Sequence, residues 1–357
     1  MQDVRLSSRS VNTMRQCAYN TDPRPVAGGF VQKKAFSKIN LILDVIARRQ
    51  DGYHEVRSVM QSLELHDTVT IEVLPSSCEL SASDEMGESR DITGFRNLYQ
   101  KRQKVPADCN FILTCSDEAL PTDDRNLVTR AAKYMIQEYD ITQAVRIHLE
   151  KRIPTAAGLA GGSSDCAATI SGINELFCLN IPLSTSDESQ PSLMSIGKGF
   201  GADVPFCLLG GTALAEGIGE KLTPLPIHPP CWVLLVCPNI PVSTKEIFGK
   251  YNPAFSSPGN VPDMVQSLAQ GNIRQIAANF SNDLTQVTTK LHPEILDIID
   301  FLKVNGALNA AMSGSGPSVF GYFLDEETAY RAASIFESRP KNRPENKLGK
   351  VFLTKIS

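Results

Sequence analysis

A glycine-rich stretch constrains this chain more than any other feature. Residues 153–167 read IPTAAGLAGGSSDCA, which offers too little side-chain volume for a core segment. Glycine permits a positive φ and lets a ligand approach the backbone closely. The alternating VRIHLE before the stretch predicts a strand, and the residues from Asp165 to Leu176 predict a helix. A strand, a glycine loop and a helix N-terminus direct unpaired N–H groups at one point, so we expect a bound polyphosphate.

The same stretch also fits a plain glycine turn, in which Ser164 or Asp165 only caps the helix. It lacks the Gly-Lys-[Ser/Thr] ending of a Walker A loop and the G-x-G-x-x-G spacing of a dinucleotide fingerprint. A second glycine cluster, MSGSGPS at 312–318, lies between apolar segments and alone predicts a tight turn. The glycine pattern therefore predicts a phosphate loop of another kind, or a turn.

Composition excludes several classes of protein. A length of 357 residues allows two domains, and a formal net charge of −4 argues against nucleic acid as the main partner. The longest apolar run, CWVLLVC at 231–237, is much shorter than the roughly 20 residues of a membrane helix. The nine cysteines are scattered without a C-x-x-C pair, and the five histidines lack metal-type spacing. We expect neither disulfides nor a structural metal.

The remaining patterns predict a first domain over residues 31–225. KAFSKINLILDVIARR and DTVTIEVL read as strands on either side of a turn at Asp51-Gly52, and the segment from Asn126 to Tyr139 reads as a helix. Residues 1–30 are expected to be a disordered extension, with an organellar transit segment as the alternative. Residues 81–108 are charged and unpatterned, which predicts an inserted surface excursion.

The proline-rich LTPLPIHPPC at 222–231 marks the expected junction with a second domain, 226–357. There the patterns predict a buried strand, helices over 261–300, a strand–glycine turn–strand unit, an amphipathic helix and a last strand. The segments that carry these predictions after the helical region are NAAMSGSGPSVFGYF, TAYRAASIFESR and VFLTKI.

Three segments together resemble the GHMP kinases, the family of galacto-, homoserine, mevalonate and phosphomevalonate kinases. Lys38-Ile39-Asn40 resembles the first family motif, and residues 154–164 resemble the second, Pro-x-x-x-Gly-Leu-x-Gly-Gly-Ser-Ser. Ser313-Gly-Ser-Gly-Pro-Ser318 resembles the third. The resemblance implies a two-domain α+β fold with a ribosomal S5 domain 2-like N-terminal domain and a ferredoxin-like C-terminal domain. The active site would lie in the cleft between them.

Further segments resemble the family members that phosphorylate cytidine-diphosphate methylerythritol, namely RRQDGYHEV, GLAGGSSDCAA and GADVPFCLLGGTALAEGIGEKL. The resemblance implies ATP-dependent phosphorylation of the substrate's 2-hydroxyl in non-mevalonate isoprenoid synthesis. It implies Mg²⁺ with ATP, a monomer or weak homodimer, no nucleic-acid or membrane partner, and a bacterial cytoplasm or a plastid. The alternatives are a mevalonate- or homoserine-type kinase and a non-catalytic nucleotide-binding regulator. The pairing of Lys38 with Asp203 argues against a regulator.

The resemblance also implies roles for single residues. Asp203 in GADVPF would accept or orient the hydroxyl proton, and Lys38 would stabilise the ionised carboxylate and the developing negative charge. Asn40 would hydrogen-bond the methylerythritol hydroxyls, with a backbone-satisfied amide as the alternative. On the cytidine side, the residues implied are Tyr53 and Phe248 as stacking faces and His54, as neutral imidazole, at the pyrimidine edge.

For ATP, the resemblance implies an adenine-side contact at Asn126 and Leu127 and a cradle for the β- and γ-phosphates. The cradle residues would be Pro154, Ala156, Ala157, Gly158, Leu159, Ala160, Gly161, Gly162, Ser163 and Ser164. Ser164 is the protein candidate for a contact with Mg²⁺. Ala160 and Asp165 depart from the glycine and the asparagine of other members. Asn282, Asp283 and 315–318 would shape the cleft or only pack.

Overall fold

The structure is a computed structural model that describes residues 28–74, 111–187, 189–339 and 349–357. The predicted excursion at 81–108 and residues 1–27 of the predicted extension lie outside the described residues. The described part contains two β-sheets with helices packed on both, which is the predicted two-part α+β architecture.

The first sheet has seven strands among the described residues, in the order β3-β4-β2-β1-β8, with β5 on β2 and β6 on β5. Its long central strands, β1 and β2, form an antiparallel hairpin. The strands are β1 (Phe30–Arg48), β2 (His54–Val73), β3 (Phe111–Cys115), β4 (Val145–Glu150), β5 (Thr212–Gly217), β6 (Lys221–Pro224) and β8 (Ser281–Asn282). Its helices are α1 (Leu127–Glu138), α2 (Gly161–Leu176), α3 (Leu193–Lys198) and α4 (Val204–Leu209).

The second sheet has four strands among the described residues, in the antiparallel order β11-β7-β10-β9. These strands are β7 (Trp232–Cys237), β9 (Ala310–Met312), β10 (Val319–Phe323) and β11 (Lys350–Lys355). The helices of this part are α5 (Thr244–Gly249), α6 (Val261–Ala269), α7 (Ile273–Ala278), α8 (Thr285–Leu291), α9 (Glu294–Val304) and α10 (Glu326–Glu337). The expected junction at 225/226 lies between β6 and β7, where the chain passes from one sheet to the other.

Strand β1 joins the cores of the two parts. Ile39 and Ile42 of this strand are fully buried and pack in one cluster with Leu235 and Phe320 of the second sheet. Farther along, Leu43 and Val45 join the cluster that α9 and α10 form under the second sheet. Because apolar burial stabilises by about 25 cal/mol per Å², a continuous core of this kind holds the two parts together. The loops at their junction are therefore placed by packing.

Helix α2 packs closely on the first sheet because it carries a glycine in its C-terminal half. A Cβ added at Gly172 would lie 2.6 Å from Cδ1 of Ile71 and 3.1 Å from Cγ of Lys33. A glycine inside a helix is unfavourable by about 1 kcal/mol relative to alanine, so its place here reflects the close approach. This contact sets the distance between the C-terminal half of the helix and the sheet.

Most predicted elements are confirmed, and two need correction. The helix predicted from Asp165 begins four residues earlier, at Gly161, so that Gly161, Gly162 and Ser163 form its first turn. The helical region predicted over 261–300 is interrupted by β8, which pairs in parallel with Ile42 and Leu43. In both cases tertiary contacts override a weak local preference. Among the residues described, no helix has both the length and the apolar content needed to cross a bilayer.

Candidate active site

The glycine-rich loop has an unusual backbone between β4 and α2. Ala156, Gly158 and Ala160 all have positive φ angles, of 53°, 75° and 58°. Left-handed residues alternating along a loop turn successive N–H groups to one side, which forms a concave anion site. The two alanines adopt this geometry at a cost of about 1–2 kcal/mol each, so the surrounding contacts must impose it.

Helix α2 starts at the end of this loop without a side-chain cap. Ala160 occupies the N-cap in the left-handed conformation, and its methyl group offers no acceptor for the first-turn N–H groups. The first N–H groups of an α-helix have no partner within the helix and carry the positive end of its dipole. The loop and the first turn together can therefore bind the phosphates of a nucleotide.

An open cleft of about 370 Å³ lies over this backbone. Its walls include the loop, the start of α1 and the end of β4. Most of the predicted ATP-site residues line it, namely Asn126, Leu127, Pro154, Ala156, Ala157, Gly158, Ala160, Gly161, Gly162 and Ser163. Asn126 also caps α1, because its side-chain Oδ1 accepts a hydrogen bond from the Val128 N–H at 2.9 Å.

Two predicted ATP-site residues do not line the cleft. Leu159 is 1% exposed, and its carbonyl accepts the Lys38 N–H at 3.1 Å. Ser164 is 2% exposed, and its hydroxyl donates to the Phe36 carbonyl at 2.7 Å. Both residues hold the loop against β1. Ser163, by contrast, lines the cleft, and its hydroxyl lies near Gly201, where an added Cβ would be 4.0 Å from it.

Three distant segments meet behind the loop. The Ser313 hydroxyl donates to the Gly158 carbonyl at 3.1 Å and accepts the Asn40 N–H at 3.3 Å. A Cβ at Gly158 would lie 2.5 Å from the Ser313 carbonyl oxygen, so only glycine fits. The side chain of Asn282 holds the segment that contains Ser313, because its Nδ2 donates to the carbonyls of Met312 and Gly314 at 2.8 Å each.

Lys38 and Asp203 form an ion pair next to the place where Gly158, Ser313 and Asn40 meet. Lys38 Nζ lies 3.6 Å from Asp203 Oδ2, with the lysine side chain 6% exposed and the aspartate side chain 32% exposed. Asp203 precedes α4, yet its carboxylate does not cap that helix, so its oxygens are open to a ligand. A buried ammonium next to a half-exposed carboxylate keeps negative charge available at a surface where a hydroxyl group can bind.

The side chain of Asn40 positions the lysine. Its Oδ1 accepts from Lys38 Nζ at 2.8 Å, and its Nδ2 donates to the Ser58 hydroxyl at 2.8 Å. Ser58 in turn donates to the Ile42 carbonyl at 2.6 Å. Asn40 is 1% exposed, so the structure gives it protein partners on both sides of its amide. A contact between Asn40 and a substrate stays a prediction.

The aromatic residues predicted for cytidine lie at the β1–β2 turn and on α5. The rings of His54 and Phe248 are 5.2 Å apart between centroids, and Tyr53 is 62% exposed at the turn. Burial, helped by the positive charge of Arg48, lowers the pKa of His54 below its ordinary value. A neutral imidazole can both donate and accept a hydrogen bond, as recognition of a pyrimidine edge requires.

Asp67, Lys151 and Asp165 form a buried charge cluster that the sequence patterns do not predict. Lys151 Nζ donates to Asp67 and, at 2.6 Å, to Asp165 Oδ2. Burial raises the pKa of Asp165 to about 7, against the lowering effect of Lys151 and with a further rise from Asp67. Burial alone would lower the pKa of Lys151, but the two carboxylates raise it. No local pattern marks these residues, because Asp67 lies within β2, Lys151 directly follows β4, and their pairing depends on how the strands are placed in the sheet.

Comparisons with known proteins place these features in a family. The model for the N-terminal domain of GHMP kinases matches residues 126–211, and the model for their C-terminal part matches residues 264–342. A relative from Lachnoclostridium phytofermentans is 41% identical over 91% of this chain and 97% of its own length. One from Acetivibrio thermocellus is 42% identical over 84% of this chain and 92% of its own length. Both relatives are named 4-diphosphocytidyl-2-C-methyl-D-erythritol kinase.

Solved structures of similar kinases superpose on this chain over most of its length. A crystal structure of 4-(cytidine 5'-diphospho)-2C-methyl-D-erythritol kinase superposes with a TM-score of 0.68 at 27% identity, covering 91% of this chain and 99% of its own. Homoserine kinase from Cytophaga hutchinsonii has a TM-score of 0.62 at 18% identity over 92% and 95% of the two chains. The second likeness shows a common fold. The fold class predicted from the three motifs is confirmed.

Replacement of Gly158 by alanine tests the contact behind the loop. Gly158→Ala places a Cβ 2.5 Å from the Ser313 carbonyl, whereas Gly271→Ala adds one at a similar positive φ of 62° with nothing within 4 Å. Both variants should lose about 1 kcal/mol through backbone strain, and Gly158→Ala should lose about 2 kcal/mol more through the clash. Urea unfolding measures both losses. Equal losses in the two variants would contradict the contact.

Replacement of Asp203 by asparagine tests the ion pair. Asp203→Asn keeps the size of the side chain but removes the base, so turnover should fall by roughly 10²–10⁴-fold while nucleotide affinity changes little. Asp300→Asn, at an exposed aspartate of α9, is the matched control and should keep full turnover. Turnover by Asp203→Asn at the level of the control would remove Asp203 from the mechanism.

Proposed function

We propose that this chain, which belongs to the GHMP kinases and within them to the 4-diphosphocytidyl-2-C-methyl-D-erythritol kinases, catalyses the reaction for which those kinases are named. It transfers the γ-phosphate of ATP to the 2-hydroxyl of 4-(cytidine 5'-diphospho)-2-C-methyl-D-erythritol and releases ADP. The observation that carries the proposal is the ion pair between Lys38 Nζ and Asp203 Oδ2, which are 3.6 Å apart. This pair is fixed next to the phosphate loop because the backbone N–H of Lys38 donates a hydrogen bond to the Leu159 carbonyl of the loop. The product is an intermediate of non-mevalonate isoprenoid synthesis.

In the proposed phosphoryl transfer, backbone groups bind the phosphates and side chains act on the acceptor hydroxyl. The loop amides and the first turn of α2 bind the β- and γ-phosphates, and the helix dipole stabilises charge on the transferring group. Asp203 orients the acceptor hydroxyl and takes its proton as the new oxygen–phosphorus bond forms. Lys38, fixed by Asn40, stabilises the carboxylate before the transfer and the developing negative charge during it.

The cytidine end of the acceptor binds at the β1–β2 turn. His54 and Phe248 lie in ring contact there, and the exposed ring of Tyr53 gives a second flat face for the base. Stacking on aromatic faces is worth about 1–3 kcal/mol per base, which is enough to select a cytidine-bearing acceptor over a plain one. Neutral His54 hydrogen-bonds the pyrimidine edge.

Mg²⁺ arrives with ATP in this proposal. Among the described residues, no group of three or more His, Cys, Asp or Glu side chains is placed to hold an ion, and Mg²⁺ commonly binds through substrate phosphates and few protein oxygens. Ser164, the residue predicted to contact Mg²⁺, is buried and donates its hydroxyl to the Phe36 carbonyl, so the neighbouring hydroxyl of Ser163, which lines the cleft, is better placed to complete the shell. The ion would neutralise phosphate charge. We keep the bacterial cytoplasm and a monomeric or weakly dimeric state as predictions.

A comparison of acceptors tests the proposed reaction. ADP release should require the cytidine-diphosphate sugar alcohol and should be at background with mevalonate or homoserine, because those acceptors lack the base that the aromatic residues bind. Release of ADP with mevalonate or homoserine at a similar rate would favour another GHMP kinase. Binding of ATP without turnover on any of the three acceptors would favour a nucleotide-binding regulator.

Replacement of Tyr53 by alanine tests the cytidine site. Tyr53→Ala should raise the KM for the cytidine substrate by roughly 10-fold and leave the KM for ATP near its original value, because one stacking face is lost. Tyr330→Ala is the matched control, since Tyr330 is 66% exposed on α10, much as Tyr53 is 62% exposed. A similar rise of both KM values in Tyr53→Ala would contradict stacking on the base.

A further inference from the structure

The buried charge cluster touches both ends of the phosphate loop. Asp67 lies in the second half of β2 and is fully buried. Its Oδ2 accepts from Lys151 Nζ, and its Oδ1 accepts the backbone N–H groups of Arg152 and, at 2.8 Å, Ile153. These residues are the last ones before the loop. The carboxylate of Asp67 therefore fixes the loop entrance to the sheet.

Lys151 carries this attachment across to the loop exit. Its Nζ donates at 2.6 Å to Oδ2 of Asp165, which lies in the second turn of α2 and is 3% exposed. A Cβ at Gly161 would lie 3.5 Å from the same Nζ, so the ammonium sits directly beneath the start of the helix. One ammonium thus connects the residue before the loop with the helix after it.

The cluster is poorly suited to attract phosphate. It holds two carboxyl groups and one ammonium, so it adds no net positive charge to a cleft that Lys151 and Asp165 both line. The second oxygen of Asp165, Oδ1, is buried without a hydrogen-bond partner among the described residues, which is unfavourable for folding. Buried ion pairs often contribute little to stability, so another role is needed to explain these three residues.

We propose that Asp165, through Lys151 and Asp67, is a positioning residue that holds the two ends of the phosphate loop at a fixed separation. The left-handed backbone at Ala156 and Ala160 is strained, and strained backbone persists only where its surroundings define it tightly. Hydrogen bonds within the cluster fix the residues on both sides of the loop, and the hydroxyl of Ser313 fixes Gly158 inside it. The inference rests on the proposed binding of ATP at this loop, and it concerns the nucleotide alone.

Two neutral replacements of Asp165 separate the link from the charge. Asp165→Asn keeps an oxygen that can accept from Lys151, whereas Asp165→Leu has a similar volume and no acceptor. Both variants leave the Asp67–Lys151 pair balanced, so neither leaves an uncompensated buried charge. The readouts are the dissociation constant for ADP with Mg²⁺ by calorimetry, amide hydrogen exchange over 154–163, and the KM values of the full-length enzyme.

Asp165→Leu should bind ADP roughly 10-fold more weakly and exchange the loop amides faster, with the KM for the acceptor nearly unchanged. Asp165→Asn should stay within about 3-fold of the wild type in all of these. Equal ADP affinity in the two variants, or an equal rise of both KM values in Asp165→Leu, would overturn the proposal. If Asp165→Leu does not fold, Asp165→Ala takes its place.

Asp165→Asn can refute the proposal on its own. A large loss of ADP affinity in this variant would show that the charge of Asp165 matters and the hydrogen-bonded link does not. These outcomes are distinct from a failure of the proposed function, because ADP binding and amide exchange are measured without an acceptor. An enzyme that binds ADP at this loop but phosphorylates a different acceptor would still test the link.

Discussion

The close contact between the backbones of Gly158 and Ser313 determines how the rest of the site is arranged. Two segments 155 residues apart meet where a single methyl group would not fit. The Ser313 hydroxyl also accepts the Asn40 N–H, so the contact includes the strand that carries Lys38. A shared apolar core brings the two sheets together. With the sheets held in this way, the contact between Gly158 and Ser313 fixes the position of the phosphate loop.

Different parts of the site handle charge in different ways. Backbone amides and a helix dipole face the place proposed for the phosphates, where they need no reorganisation to stabilise negative charge. The Lys38–Asp203 pair leaves its carboxylate half-exposed, at the position where an acceptor proton must be taken. The side chains of the Asp67–Lys151–Asp165 cluster are at most 8% exposed and are joined by hydrogen bonds, which suits a role in geometry. Each arrangement of charge fits the exposure of the residues that form it.

Much of the site could be predicted from the sequence because its motifs are local. The glycine loop, the DGYH turn and the GADVPF segment each place their residues within a few positions of one another, and the structure brings Lys38 to Asp203 as expected. The sequence predicts the start of α2 at Asp165, four residues after its true start at Gly161, because glycines disfavour a helix unless tertiary packing compensates. The pairing of Asp67 in β2 with Lys151, the residue that follows β4, joins positions 84 residues apart, and no local spacing encodes it.

The central claim is that loop amides hold a nucleotide's terminal phosphate within reach of the Lys38–Asp203 pair. A crystal structure with a non-hydrolysable ATP analogue, Mg²⁺ and the cytidine-diphosphate acceptor tests it most directly. We expect the γ-phosphate within hydrogen-bond distance of the amides at residues 160–163, with the acceptor's 2-hydroxyl between that phosphate and Asp203. A nucleotide bound away from the glycine loop, or an acceptor hydroxyl remote from Asp203, would contradict the account.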